Sequence, residues 1–151
     1  MILVIQRVKS AYVRVDEKEV SSIKNGLVVL AAIEEEDTKS EVEWCAEKVA
    51  SLRIFPDSAG KMNISIKEAG GEILAVSQFT LVGELNKGTR PSFSKAAPPE
   101  KAKVLFDYFV SQIRERGLEV KTGIFQAMMD VGLINNGPVT IILKKQKKDG
   151  K

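Results

Sequence analysis

Seven consecutive apolar residues, Leu27-Val28-Val29-Leu30-Ala31-Ala32-Ile33, follow the segment Lys24-Asn25-Gly26. Successive side chains of a strand point to opposite faces, so a strand that is apolar at every position reads as a central one with both faces covered. Asn-Gly tolerates positive φ and supplies a hairpin-type turn at its start. The rest of the chain has to provide flanking strands and a covering layer.

Its segments read accordingly. Ile2 to Val8 and Ala11 to Val15 read as strands, and Val13 and Val15 alternate with Arg14 as a half-buried strand does. Thr38 through about Ile54 reads as a helix. Thr38 and Glu41 form a T-x-x-E capping box, and Val42, Cys45, Ala46, Val49 and Leu52 share one face. Cys45 is thus expected to pack in the core rather than react. Phe55-Pro56-Asp57-Ser58-Ala59-Gly60 ends that helix with breaker chemistry. After Gly70-Gly71, the strand Glu72 to Val76 runs straight into Ser77-Gln78-Phe79-Thr80. Residues 83–97 read as a long loop. Pro98-Pro99 opens a second helix with a stripe of Ala102, Leu105, Phe106, Phe109 and Ile113, which Gly117 stops; no good N-cap residue precedes Pro98. Leu118 to Val120, Met128 to Ile134 and Val139 to Leu143 read as three more strands, the last two flanking Asn135-Asn136-Gly137-Pro138.

The expectation is an α/β (α+β) fold in a single domain over residues 1–143. It has two main helices and about seven or more strands in a mostly antiparallel or mixed sheet, curled towards a barrel. Residues 144–151 hold five Lys and one Asp and read as a basic, flexible tail. The net charge of +3 arises there, since the body carries 18 basic and 19 acidic residues. A solvated terminus is the plain reading of that tail; a salt-dependent phosphate contact is the functional one.

A composition of 44% apolar and 28% charged residues is ordinary for a soluble domain. One cysteine excludes an internal disulfide and fits a reducing compartment. Met1 to Val8 is too short and too soon charged for a secretory signal, and no stretch approaches the roughly 20 apolar residues of a membrane helix. A cytoplasmic protein with no membrane contact is expected.

The chain has no histidine. That removes the commonest general base, the commonest zinc ligand and any Ser-His-Asp or Cys-His triad. Chemistry has to run on hydroxyls, amides and main-chain dipoles. Ser77 to Thr80 lies where an apolar strand ends, which would hold it rigidly, and a chain leaving a sheet there offers N–H groups for an oxyanion. The plain alternative is that Ser77 and Thr80 merely cap a strand end. At Gly137-Pro138 a trans turn is the default, because only about 5–6% of X-Pro bonds are cis. A cis bond would aim two successive carbonyls in nearly one direction, where they would grip an ammonium group. Lys87-Gly88-Thr89-Arg90-Pro91-Ser92-Phe93 reads as a basic, flexible lip able to touch phosphate, or equally as a plain surface loop.

Other schemes find no support. Ala69-Gly70-Gly71 lacks the Lys-Ser/Thr partner of a P-loop. There are no Cys or His pairs for zinc. Glu34-Glu35-Glu36-Asp37 favours the following helix N-terminus rather than a metal, and Asp130 has no second carboxylate at a defensible spacing. No metal and no cofactor are expected.

Taken together and in this order, five segments resemble the D-aminoacyl-tRNA deacylase family (bacterial D-tyrosyl-tRNA deacylases). They are Met-x-x-Val-x-Gln-Arg-Val at Met1 to Val8, Ser77-Gln78-Phe79-Thr80-Leu81, Lys87 to Phe93, Thr122-Gly123-x-Phe125, and Asn135-Asn136-Gly137-Pro138-Val139-Thr140. The resemblance implies a small homodimeric enzyme that hydrolyses the ester joining a D-amino acid to the 3′ end of tRNA; if chirality is set by excluding the L side chain, glycyl-tRNA is expected to leak through as well. It implies that Ser77, Gln78, Phe79 and Thr80 form the catalytic motif. It also implies that Gly137-Pro138 is cis, enforces chirality and reaches into the partner subunit's pocket. Phe125 would sit near the terminal adenosine. Thr80 ranks as a hydrogen-bonding group ahead of a covalent nucleophile, since nothing near it in sequence lowers its pKa. Two positions depart from the family: Asn136 stands where Asp is usual, and Met128 where an acidic residue is usual. The alternative from another class is a non-enzymatic nucleic-acid-binding module, motivated by the Lys tail and Arg90. A general acyl hydrolase acting through Thr80 and a purely structural interaction protein are the remaining readings.

Overall fold

The computed structural model describes residues 1–147; of the tail expected to be flexible from residue 144, Lys144 ends the final strand and Lys145 exchanges main-chain bonds with Met1 (3.0 and 2.8 Å), while residues 148–151 lie outside the described residues. At its centre is β3 (Gly26–Ala32), buried at every residue but Leu30. Antiparallel to β3 on one side runs β1 (Ile2–Val15); parallel to it on the other runs β6 (Glu72–Ser77), followed by parallel β7 (Val120–Thr122). The second half of β1 pairs with β2 (Lys18–Ile23), and β8 (Asp130–Lys144) runs antiparallel along the other side of β1. The result is one mixed six-stranded sheet. Gly26 is required by the close approach of β3 and β6: a Cβ there would lie 1.8 Å from the Glu72 carbonyl oxygen.

The sheet curls because β1 changes partner halfway along. Its first half pairs β3, its second half pairs β2, and β2 is carried round towards the far edge. There Ser21 Oγ donates to the Thr122 carbonyl (2.9 Å) and Lys121 Nζ to the Ser22 carbonyl (2.9 Å), nearly closing a barrel. Alternate residues serve two cores. Val8, Ala11, Val13, Ile23, Val28, Leu74 and Val76 fill the inside of the curl. Leu3, Ile5, Leu27, Val29, Ile73 and Ala75 face the helices α1 (Lys39–Ser51) and α3 (Pro99–Glu115).

The helices follow their sequence signals. Thr38 and Glu41 form the expected capping box, and Cys45 is fully buried on the face of Val42 and Val49. Helix α3 starts at Pro99 with no side-chain cap, and Gly117 takes φ +83° beyond its end. Among the described residues no helix is long and apolar enough to cross a membrane.

Several elements differ from expectation. Ile2 to Val15 is one strand rather than two. Strand β2, edge-like and polar, lacks the apolar alternation that announces a strand. Two short strands, β4 (Phe55–Pro56) and β5 (Met62–Ile64), make a separate hairpin. A third helix, the single turn α2 (Ile66–Ala69), adds to the two main ones. Its S-x-x-E box, Ser65 with Glu68, was present in the sequence as a signal. The acidic run before α1 also has a different task. Asp37 and Glu34 are buried and accept from the Met1 ammonium at 2.8 and 3.1 Å. Burial pushes the Asp37 carboxyl above its usual value, against the opposing pull of that ammonium.

Candidate active site

Ser77 is the last residue of β6, half-buried opposite Ala31 of β3. The Gln78 N–H makes one final rung to the Ala31 carbonyl (2.7 Å), and the chain then leaves the sheet in a 3-10 turn, Phe79–Val82, anchored by buried Val82. Leu81 N–H returns to the Gln78 carbonyl (3.3 Å) and Gly83 N–H to that of Thr80 (3.0 Å). The N–H groups of Phe79 and Thr80 have no acceptor among the described residues. Both residues are exposed, on a backbone tied to β3 before them and closed by the 3-10 turn after them, so these N–H groups are free to receive an oxyanion.

The side chains at this corner are neutral. Gln78 Nε2 donates to Thr80 Oγ1 (3.2 Å), and no Asp, Glu, Lys or Arg of the described residues bonds the side chains of Ser77 to Thr80. The ring of Phe79 is 55% exposed and meets Phe93 edge-on, with centroids 5.2 Å apart. Phe125 follows β7. Because Thr122 pairs with Ala75 in the parallel ladder, Phe125 leaves the sheet at the same carboxyl end as Ser77 to Thr80. It packs half-buried against the helix-side core, with Lys103 Nζ 5.7 Å from its ring centre. The buried Cys45 thiol, pushed up to about 12 by burial, belongs to the core. Among the described residues no group of three or more acidic, Cys or His side chains is placed to hold a metal ion.

Gly137-Pro138 is cis. No turn separates two strands here, contrary to the expected default: β8 runs through the segment as one strand with a bulge. Pairing with β1 passes from Gln6↔Thr140 to Val8↔Asn135, which leaves Asn136 to Val139 opposite Arg7 alone. Two residues to which sequence reasoning gave no role hold the bulge. Asn135 Oδ1 accepts from the Val139 N–H (2.7 Å), while its Nδ2 donates to the Val139 carbonyl (3.2 Å) and to Thr140 Oγ1 (3.0 Å). Arg7 Nε donates to the Asn136 carbonyl (2.9 Å) and Arg7 Nη1 to that of Ile54 (2.7 Å). The signal for Arg7 was the one cation of Met1 to Val8, a run in which Gln6 is the other polar residue. Asn136, at the position where Asp is usual, contributes its main-chain oxygen; Met128 is 92% exposed in the loop before β8.

The fold brings Phe125 and Ser77 to Thr80 to one end of the sheet, but not Gly137-Pro138. Ser77, Ala31, Leu3 and Leu143 lie in one row across four strands, and Arg7 stands four residues further along β1. Three strand spacings across and four residues along put the bulge roughly 20 Å from the Ser77 corner of the same chain, measured over the surface of the sheet.

Residues 4–144 match the family model described as D-Tyr-tRNA(Tyr) deacylase. Two D-aminoacyl-tRNA deacylases are similar along nearly their whole length. That of Thermotoga petrophila is 54% identical over 144 residues, 95% of this chain and 97% of that one. That of Shouchella clausii is 55% identical over 146 residues, 97% and 100%. Among solved structures, a c-Myc DNA unwinding element binding protein superposes with TM-score 0.92 at 40% identity, covering 97% of this chain and 100% of its own. A probable eukaryotic D-amino acid tRNA deacylase shares the fold at TM-score 0.83 and 18% identity, covering 94% and 97%. This chain therefore belongs to the D-Tyr-tRNA(Tyr) deacylase family.

Proposed function

We propose that this protein hydrolyses the ester bond between a D-amino acid and the 3′ end of tRNA, releasing free amino acid and tRNA. Family membership and the names of relatives at 54–55% identity support the reaction. The observation that carries the site is the pair of unpaired N–H groups of Phe79 and Thr80 on a backbone pinned to β3. The non-enzymatic binding-module reading is not favoured by these relatives.

The chemistry needs little apparatus, because an aminoacyl ester is already activated. Water attacks the carbonyl carbon, the new C–O bond forms, and negative charge gathers on the carbonyl oxygen between the Phe79 and Thr80 N–H groups. One such donor typically contributes about 3–4 kcal/mol. The C–O3′ bond then breaks and the leaving 3′ oxygen takes a proton. With no histidine, the tRNA's own 2′-hydroxyl is the group placed to relay it. Thr80 acts as a hydrogen-bonding member: its Oγ1 accepts from Gln78 and has, among the described residues, no bonded base to remove its proton.

Chirality is judged elsewhere. The main-chain carbonyls at Gly137 and Pro138, held by Arg7 and Asn135, receive the substrate ammonium and leave one direction for the side chain. A preference of about 10⁴ requires roughly 5.5 kcal/mol, more than one hydrogen bond supplies. Excluding the L side chain provides it, and many D side chains are tolerated. Glycine, with nothing to exclude, leaks through. Phe125 lies beside the terminal adenosine.

The separation of roughly 20 Å within one chain supports a homodimer in which each bulge completes the corner of the other copy. The outer edge of β8, unpaired among the described residues and carrying Ile134 and Ile142 at 57% and 73% exposure, is the surface suited to that contact. The compartment proposed is the cytoplasm, where charged tRNA is found. The test is ester cleavage of D- and L-tyrosyl-tRNA side by side. Release from the D form alone supports the reading; equal release from both, or from neither, defeats it.

A further inference from the structure

The segment between the 3-10 turn and α3 is an ordered arm seated on the corner, where the sequence suggested a flexible lip. Glu84 and Ser92 exchange both backbone bonds (2.8 and 2.9 Å), and Lys95 Nζ reaches the Glu84 carboxylate at 2.8 Å. Phe93 presents its ring edge to Phe79. It also crowds Gly83, where a Cβ would lie 3.0 Å from the Phe93 ring. The arm is thus fixed to the same residue whose main chain offers the oxyanion donor.

Its tip is exposed from Asn86 to Pro91 and carries Lys87 and Arg90. Neither has a carboxylate partner among the described residues, whereas Lys95 at the base of the arm does. Arg90 is three residues from Phe93, so its Cα is at most about 11 Å away. Two unpaired cations within one or two nucleotides' reach of an exposed aromatic pair have the chemistry that tracks single-stranded nucleic-acid backbone. The body of the chain carries 18 basic and 19 acidic residues, so no general positive field does this work.

We propose that this arm grips the sugar-phosphate backbone of the tRNA's single-stranded 3′ end through Lys87 and Arg90, just upstream of the nucleotide whose ester is cut. The inference rests on the deacylase reading and assigns the part of the substrate that lies outside the corner. Lys87 and Arg90 are positioning residues; they touch phosphate and not the reacting atoms.

The test compares two substrates, D-tyrosyl-tRNA and the D-tyrosyl ester of adenosine, which lacks upstream phosphates. The double variant K87A/R90A should show a raised KM for the tRNA with kcat retained, and unchanged cleavage of the adenosine ester. Each single-strand phosphate contact contributes about 0.7 to the slope of log(kcat/KM) against log salt, so the variant's slope should be shallower by about 1.4. Between 50 and 200 mM salt that is about a 7-fold smaller fall. Equal behaviour of variant and wild type on both substrates overturns the proposal. So does an equal loss on both, which makes the arm a support for the corner. If the wild-type protein cleaves neither substrate, the deacylase reading fails instead. Salt-dependent binding of uncharged tRNA by the same two proteins then still decides the arm.

Discussion

Arg7 Nε donates to the main-chain oxygen of Asn136 at 2.9 Å, and the same guanidinium reaches the Ile54 carbonyl at 2.7 Å. One side chain on β1 thereby ties the bulge of β8 to the segment that follows α1. Bonds from a charged donor contribute about 1.5–3 kcal/mol each. Arg7→Ala should cost about 3 kcal/mol or more in chemical denaturation, at the lower end of the two bonds combined. Arg7→Lys should recover less than half, because a point ammonium does not span two carbonyls as a planar guanidinium does. Full stability in Arg7→Lys contradicts this.

Asn135 clasps the bulge by accepting the Val139 N–H at 2.7 Å. Asn135→Ala leaves that N–H without a partner, a loss of about 1–3 kcal/mol. The expected signature is selective: the ratio of D- to L-tyrosyl-tRNA cleavage falls about 10-fold or more, a shift of about 1.4 kcal/mol. The rate on the D substrate should fall less. A variant that loses rate on both substrates in proportion places Asn135 in folding alone.

Thr80→Val removes the hydroxyl that Gln78 holds at 3.2 Å and keeps the shape. Loss of one neutral hydrogen bond predicts about a 10-fold fall in kcat. Abolished turnover, with a trappable acyl-enzyme in the wild type, would make Thr80 the nucleophile.

Glu41 carries a pH dependence whose sign is fixed. Burial pushes its carboxyl up, but the hydroxyl and N–H bonds of Thr38 together outweigh this and hold it below the usual value of 4.5. A lowered folded value means stability that is present above 4.5 and is lost as pH falls through the folded value. Glu41→Gln should therefore be less stable than wild type at pH 7, with the gap closing as denaturation midpoints are followed down below pH 4.

At Gly26 a Cβ would meet the Glu72 carbonyl at 1.8 Å, a backbone atom with no freedom to retreat. Gly26→Ala should cost about 1–3 kcal/mol or more by overpacking. At this size that lowers Tm by about 2–4 °C per kcal/mol. An unchanged Tm would show that β3 and β6 separate at no cost.

What the sequence disclosed, it disclosed through local chemistry. Leu27 to Ile33, the Thr38–Glu41 box and the stripe of α3 each carry their signal within a few residues, and each element formed as read. The continuity of β1 and β8 was hidden because it is a property of the pair: each strand spans an irregularity that only the other's register accommodates. The polar edge strand β2 was hidden because its pairing with β1, not its own pattern, defines it. At the candidate site, the position of Ser77 to Thr80 where an apolar strand ends was legible. Arg7 and Asn135 were not given roles, because their partners are backbone oxygens and N–H groups that no side-chain motif records.

The distance between the serine corner and the proline bulge has an arithmetic of its own. If every working centre draws its halves from two different copies, then a protein inactivated at the Ser77 to Thr80 corner and another inactivated at the Gly137-Pro138 bulge can rescue each other. Unfolded together and refolded as a random mixture, they should yield about a quarter of the normal complement of intact centres, all in mixed pairs. Two cripples restoring one another is an outcome that a self-sufficient single chain has no means to produce.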